Sequence, residues 1–562
     1  MTIRDEINIC IGGEAGQGLI TLGDLLSRSL VRCGYHIVVT QEYMSRIRGG
    51  HNTYAIRAGS GRILAPRESI DLLVAFNKET GVLHRGFLSP FALIVAAAAD
   101  CETSGLYLPV PYTDFDGGKF ENMAALGVVA AMLGLDEAIV TETVRQSIGN
   151  KSGLLDRNMA SLSAGWTWAA RQEAARGRFS LPAAKEHPKR IMLNGNDAIA
   201  LGALSAGLKF CSFYPMTPAT SIPQMLAKYG NDFNLVVEQA EDEIAAINMA
   251  IGASFCGARS MVATSGGGFA LMAEGVSLAG MTETPVVIVV GQRPGPATGL
   301  PTRTEQADLD FILHAGHGEF PRAVFAPGSV EECFRITREA FAVAGRFQGP
   351  VFILTDQFLA DSYRAVLPFK LSEETFQEGV VEIFSGPTYR RFAFSDTGVS
   401  LRLLPGMSEH LVVADSDEHT EDGHITEDLG IRKMMVEKRQ NKLQGIVSRV
   451  LPPEYEGDDA PDLLMVSWGS SKDAVREAAL LKKAEGVKVG TLHFRQVWPL
   501  VPGLFMPYLE SAGKAVCVEG NHGGQFARLI RRECGFEIPF HVRRYDGLPF
   551  TPEYILGNLH YD

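Results

Sequence analysis

Twice along this 562-residue chain an apolar, strand-like run breaks on clustered glycines and passes straight into residues spaced as on a helix. The first is Ile7-Asn8-Ile9-Cys10-Ile11, then Gly12-Gly13-Glu14-Ala15-Gly16-Gln17-Gly18, then Leu19, Leu22, Leu25, Leu26 and Leu30. The second runs from Ser260 to Thr264 into Ser265-Gly266-Gly267-Gly268-Phe269. A third apolar run, Leu463 to Trp468, also ends on a glycine, Gly469. Strand and helix periods alternating along a chain imply sheets covered by helices, with mainly parallel strands. The expected fold class is α/β, in three α/β domains.

In residues 1–178 strands are expected at 36–40, 52–58, 71–76 and 91–98, with a closing helix from Trp166 to Arg176. A linker with two prolines and no period follows, Gly177 to Pro188. The second domain, 190–384, alternates strands near 236–237, 260–264, 285–290 and 351–354 with helical stretches. Residues 385–456 lack this alternation. They carry turn signals, an acidic run from Asp415 to Asp428 with His419 and His424, and a charged helix with Lys433, Glu437, Lys438 and Arg439. This reads as a connecting excursion before the third domain, 457–562.

The chain holds 52 Lys and Arg against 65 Asp and Glu, a net charge of −13, which argues against a nucleic-acid partner. Its longest unbroken apolar run, Phe91 to Ala99, is far short of the ~18 residues a membrane helix needs. The polar start at Arg4, Asp5 and Glu6 carries no secretory signal, and the eight cysteines contain no CxxC pair. The expectation is a cytoplasmic protein with reduced thiols and no cluster of its own. The Asp415–Asp428 run matches no ligand spacing, so no metal site is expected on this chain.

Several motifs could carry chemistry. Glycines at 13, 16 and 18, where a strand turns into a helix, let backbone N–H groups approach a phosphate or simply allow tight packing. Arg46 and Arg48 on the next loop suit bidentate phosphate contact, or face solvent. Tyr214-Pro215-Met216-Thr217-Pro218 stiffens the backbone around the Thr217 hydroxyl, as a ligand contact or as the lead-in to a helix capped by Ser221. Glu238, Glu241, Asp242 and Glu243 crowd a helix start, where capping accounts for some of them. Glu243 differs, because it opens an almost wholly apolar helix and a stranded carboxylate there is costly. Arg293 follows a buried strand, at the edge where such sheets bind ligands.

These motifs resemble the 2-oxoacid:ferredoxin oxidoreductases, specifically an alpha subunit with a gamma domain fused at its N-terminus. The resemblance rests on Gly12 to Gly18 and Arg48-Gly49-Gly50, on Tyr214 to Pro218, and on Glu243 to Ser254. Ser265 to Gly268, Ala279 to Pro285 and Gln292 to Thr302 complete it, while Trp468 to Ser471 and Glu519 to Gln525 look like a transketolase C-terminal domain. It implies a gamma-type domain, a pyrimidine-binding thiamine diphosphate domain and a transketolase C-terminal-like domain. Two departures stand out: Met216 replaces the usual isoleucine, and Gly267 replaces a usual proline, which loosens that turn.

The implied activity is coenzyme A-dependent oxidative decarboxylation of a 2-oxoacid, with electrons passing to ferredoxin. Glu243 would bond N1′ of thiamine, with Tyr214, Pro215, Ser265 and Gly266 also on the cofactor. Thr217 and Arg293 would hold the oxoacid, and Gly16, Gly18, Arg46 and Arg48 would meet coenzyme A. The chain has no GDG…N stretch for diphosphate and Mg2+. These and a [4Fe-4S] cluster are expected on a beta subunit, in a dimer of alpha–beta pairs. Among substrates the resemblance favours 2-oxoglutarate, giving succinyl-CoA and a place in the reductive tricarboxylic acid cycle; pyruvate and branched 2-oxoacids stay open. An E1-type dehydrogenase component using lipoamide is the rival reading.

Overall fold

The computed structural model describes residues 5–44, 50–102, 106–115, 119–149, 153–173, 179–183, 188–371, 384, 386 and 388–561. The chain forms two compact units. One comprises Met1–Asn194 with Asp361–Pro368 and Thr551–Tyr554; the other comprises Gly195–Ala360, Phe369–Phe550 and Ile555–Asp562.

The first unit holds a mixed eight-stranded sheet. The strand Glu6–Glu14 pairs parallel with Ile70–Ala75 and antiparallel with His51–Gly59. Leu88–Ala97 and Tyr107–Val110 extend the parallel side. His36–Glu42, Arg364–Val366 and Ile191–Leu193 extend the antiparallel side. The leucines spaced from Leu19 form the buried face of the helix Leu19–Arg32, as their period requires. The closing helix is Leu154–Ala170 rather than Trp166 to Arg176. Its inward residues Leu162, Gly165 and Ala169 belong to one face that starts well upstream. Gly127 and Gly165 let this helix press backbone to backbone on Glu121–Leu133, since a Cβ on either would collide with the facing carbonyls of Leu162 and Ala124.

The second unit contains two sheets. The seven-stranded sheet runs in the order Gln496–Trp498, Ala323–Phe325, Pro350–Asp356, Val286–Gln292, Ser260–Ser265, Phe210–Phe213, Val236–Gln239. All are parallel except the edge strand Gln496–Trp498. The five-stranded sheet orders Glu454–Gly457, Val489–Phe494, Leu463–Trp468, Lys514–Glu519 and Phe540–Arg543, parallel but for its first strand. The expected α/β class with three sheets is what the chain adopts.

The excursion around 385–456 is more than a connector. Its helix Leu429–Val447 buries Met435, Lys438, Arg439, Lys442 and Ile446. The acidic run folds onto this helix: Glu418 pairs with Arg432 and Arg439, and His419 is buried with its ring on Phe392. No group of three or more metal-binding side chains converges among the described residues. Among the same residues no helix is long and apolar enough to cross a membrane.

Candidate active site

In a parallel sheet every strand delivers its carboxyl end to one edge, and loops leaving that edge can converge on a ligand. Four strands of the seven-stranded sheet end there on candidate residues. Phe210–Phe213 leads to Tyr214, Val236–Gln239 to Glu243, Ser260–Ser265 to the glycine turn, and Val286–Gln292 to Arg293. Ser265 lies opposite Gly291 in the register.

Asp242 caps the helix Glu243–Phe255 by accepting from the Ala245 N–H at 2.8 Å, while Glu238 and Glu241 stand in solvent. Glu243 is only 3% exposed. Its Oε1 has no hydrogen-bond partner. That carboxylate lies against Gly268, where a Cβ would fall 2.5 Å from Glu243 Oε1 and collide with Thr264 Oγ1. The Ser265 hydroxyl, fully buried, is also without a partner. Two orphaned polar groups beside a side-chain-free turn mark a place where a ligand completes the hydrogen bonding. Gly268→Ala is expected to push the Glu243 carboxylate aside and abolish turnover; circular dichroism and a melting curve would show the fold retained.

The Thr217 carbonyl, not its hydroxyl, holds Arg293, accepting from Nη1 at 2.7 Å. The hydroxyl makes no hydrogen bond among the described residues and stays available. Burial lowers the Arg293 pKa, and the nearby Asp308 carboxylate partly offsets this. Ser221 is the first residue of its helix rather than the cap, its hydroxyl accepting from Asn196 Nδ2 at 2.7 Å. The same amide reaches the Pro218 carbonyl at 2.8 Å, so Asn196 braces the Thr217 turn. Tyr214 and Pro215 are exposed at this edge, and Gly266 packs against the Asp308 carboxylate.

The loop after Arg293 is clamped from the five-stranded sheet. Gln306 donates to the Trp468 carbonyl at 3.0 Å and accepts from the Gly520 N–H at 2.8 Å, while Asn521 Nδ2 reaches the Gln306 carbonyl at 3.1 Å. The Trp468-Gly469 and Glu519-Gly520-Asn521 motifs therefore brace the site's loop.

In the first unit Gly16 and Gly18 have positive φ, and Gly18 precedes the helix Leu19–Arg32 without a side-chain cap. Gln17 closes the turn, accepting from the Glu14 N–H at 2.7 Å. Arg46 and Arg48 lie outside the described residues.

Residues 201–438 match the family profile described as pyruvate flavodoxin/ferredoxin oxidoreductase, thiamine diphosphate-binding, and residues 8–168 match pyruvate ferredoxin/flavodoxin oxidoreductase. The alpha subunit of a Sulfolobus 2-oxoacid:ferredoxin oxidoreductase is 30% identical over 96% of this chain and 94% of its own. The chain belongs to the 2-oxoacid:ferredoxin oxidoreductase alpha subunits. It is accordingly one subunit of an oxidoreductase, and the alpha designation implies a partner subunit. Within this family it is also 29% identical to the 2-oxoglutarate oxidoreductase subunit KorA of Mycobacterium tuberculosis, over 98% of this chain and 90% of that one. It superposes on the 2-oxoglutarate:ferredoxin oxidoreductase of Magnetococcus marinus with a TM-score of 0.92, at 31% identity and 99% of both chains.

Asn196, Gln306 and Asp308 were not among the sequence candidates. Each sits in a polar stretch of the sequence, and the contacts of Asn196 and Gln306 reach 22 and 214 residues along the chain, so no local spacing marks them.

Proposed function

We propose that this chain is the alpha subunit of a 2-oxoglutarate:ferredoxin oxidoreductase, converting 2-oxoglutarate and coenzyme A reversibly to succinyl-CoA and carbon dioxide. The carrying observation is the orphaned pair, Glu243 Oε1 and Ser265 Oγ, facing a glycine turn at the sheet's ligand edge. These residues fit thiamine diphosphate. When bound, that cofactor supplies the carbanion chemistry of decarboxylation. Glu243 would accept a hydrogen bond from a ring nitrogen and hold a proton there, and Ser265, Gly266, Tyr214 and Pro215 would line the same place. A Cβ on Gly267 would meet only the Ala297 carbonyl, at 3.7 Å, an ordinary contact. Arg293 and the Thr217 hydroxyl would orient the oxoacid carboxylate and keto oxygen, which is positioning work.

The substrate reading is supported by the Mycobacterium tuberculosis relative, named for 2-oxoglutarate, and by the Magnetococcus marinus structure, which has 2-oxoglutarate, coenzyme A and succinyl-CoA bound. Coenzyme A would meet the uncapped turn at Gly16 and Gly18, with Arg46 and Arg48 assigned from sequence alone. Mg2+ and the [4Fe-4S] cluster belong to the beta subunit in this reading, in a cytoplasmic dimer of alpha–beta pairs that passes electrons to ferredoxin. Tyr214, Ile244, Met249 and Leu271, on the elements that carry the candidate residues, expose 40 to 51% of their surface, as a face awaiting that subunit would.

The test is anaerobic viologen reduction by this chain with and without its beta partner, offering 2-oxoglutarate, pyruvate and 2-oxoisovalerate, each with and without coenzyme A. Reduction that needs partner, coenzyme A and 2-oxoglutarate is expected. A preference for another oxoacid would overturn the substrate, and turnover by the isolated chain would overturn the shared site.

A further inference from the structure

A second carboxylate at this edge, besides that of Glu243, has no partner among the described residues. Asp308 follows the clamped loop; its backbone N–H donates to Gln292 Oε1 at 3.0 Å, and its carbonyl accepts from Ile312 at the start of a short helix. These bonds fix the main chain and leave the carboxylate out. The carboxylate lies in the space a Cβ on Gly266 would need, on the glycine turn, and makes no hydrogen bond or ion pair among the described residues. Arg293 is close enough to interact through space but spends its Nη1 on Thr217.

Neighbouring charges are few. Glu305 is the second carboxylate in reach of Asp308, and Arg293 is the cation. From the other packed elements, Glu243 lies against Gly268, two residues along the glycine turn from Gly266, and Asp310 on the following helix is paired with Arg528. Burial, partly offset by Arg293, moves the Asp308 pKa up to about 6. Burial and then Asp308 move Glu305 up to about 7.

A 2-oxoacid is an anion at neutral pH, and it would arrive at the guanidinium that Asp308 already faces, with Glu305 behind Asp308. We propose that Asp308, backed by Glu305, sets how much of the positive charge of Arg293 an incoming 2-oxoacid meets, so that oxoacid binding takes up a proton from solvent and weakens as pH rises. This rests on the functional reading above. With Asp308 and Glu305 protonated, Arg293 is uncompensated and holds the substrate carboxylate firmly. With both ionised, the Asp308 carboxylate offsets the charge of the guanidinium and affinity falls. Asp308 is a positioning residue in this scheme: it acts through Arg293.

The experiment uses the assembled alpha–beta enzyme. Calorimetry would measure 2-oxoglutarate binding to the complex stripped of thiamine diphosphate from pH 5.5 to 8.5, in buffers of different ionisation enthalpy. Viologen reduction would give KM and kcat of the loaded enzyme over the same range. The expected result is a Kd and a KM that rise at least about threefold across the range, equivalent to a shift of about half a pKa unit on binding, with fractional proton uptake. Asp308→Asn is expected to flatten both profiles, to remove the proton uptake and to bind more tightly than wild type at pH 8. Glu305→Gln should flatten them less, and Asp308→Glu should restore the slope. A wild-type Kd and KM that ignore pH, or a slope that persists in both Asp308→Asn and Glu305→Gln, would overturn the proposal. No oxoacid-dependent turnover at any pH would instead defeat the functional reading and take this one with it.

Discussion

Glu243→Gln is expected to lower kcat by about 10²–10⁴-fold, the range for removing a positioned proton-handling group, while the melting temperature of the chain holds or rises. The two halves of this result have one cause. Glu243 is buried at the start of an apolar helix, and its Oε1 is paired with nothing. A charge in that setting does not stabilise the fold, because its desolvation is not offset by a partner. An uncharged isostere removes part of that penalty. In the proposed function the carboxylate acts once a ligand nitrogen meets it, where it would hold a proton and an amide cannot. Viologen reduction by the reconstituted alpha–beta enzyme, beside melting curves of the free chain, checks both. A variant that melts much earlier and still turns over would show that Glu243 serves the fold.

The site was legible in the sequence wherever its residues follow directly on a strand. Tyr214, Ser265 and Arg293 each sit within one residue of a strand end, so alternating periods place them all at one edge. Glu243 was legible by contrast with the apolar helix behind it. Groups that act across the fold were not legible. Gln306 meets Gly520, 214 residues away, and no local spacing encodes such a contact. The helix Leu429–Val447 misled in the opposite direction. Lys438, Arg439 and Lys442 look like a solvated face, yet with Met435 and Ile446 they recur every three or four residues on the buried side. Spacing and charge together describe a buried, paired helix.

That helix leads to the largest expected stability effect. Glu283 is completely buried with a left-handed backbone, φ 49°, and it anchors the segment beyond residue 384 to the seven-stranded unit. Lys438 Nζ meets its carboxylate at 2.7 and 2.9 Å and Lys442 Nζ at 2.5 Å, while Arg391 donates to its carbonyl at 2.7 Å. Burial alone would raise the Glu283 pKa; Lys442, Lys438 and Arg391 outweigh it and hold the group well below the usual carboxylate range. Removing the one anion takes the ion-pair partner from Lys438 and Lys442 in a dry setting, while Arg391 keeps the main-chain carbonyl. Glu283→Ala is therefore expected to cost about 3–5 kcal/mol, read as early hydrogen exchange and proteolysis in Leu429–Val447, where opening starts. Replacing Glu283, Lys438 and Lys442 together by uncharged residues of similar volume should recover most of that loss, because the desolvation of all three charges disappears with them. The pH dependence has a definite sign. A carboxylate depressed in the fold adds stability that is complete above its unfolded pKa of about 4.3 and is lost as pH falls below it. In wild type the helix should hold at pH 6 and loosen below about pH 4, whereas in Glu283→Ala exchange in that helix should already be fast at pH 6. If removing Glu283 alone left exchange unchanged, the paired lysines would not be what holds this segment in place.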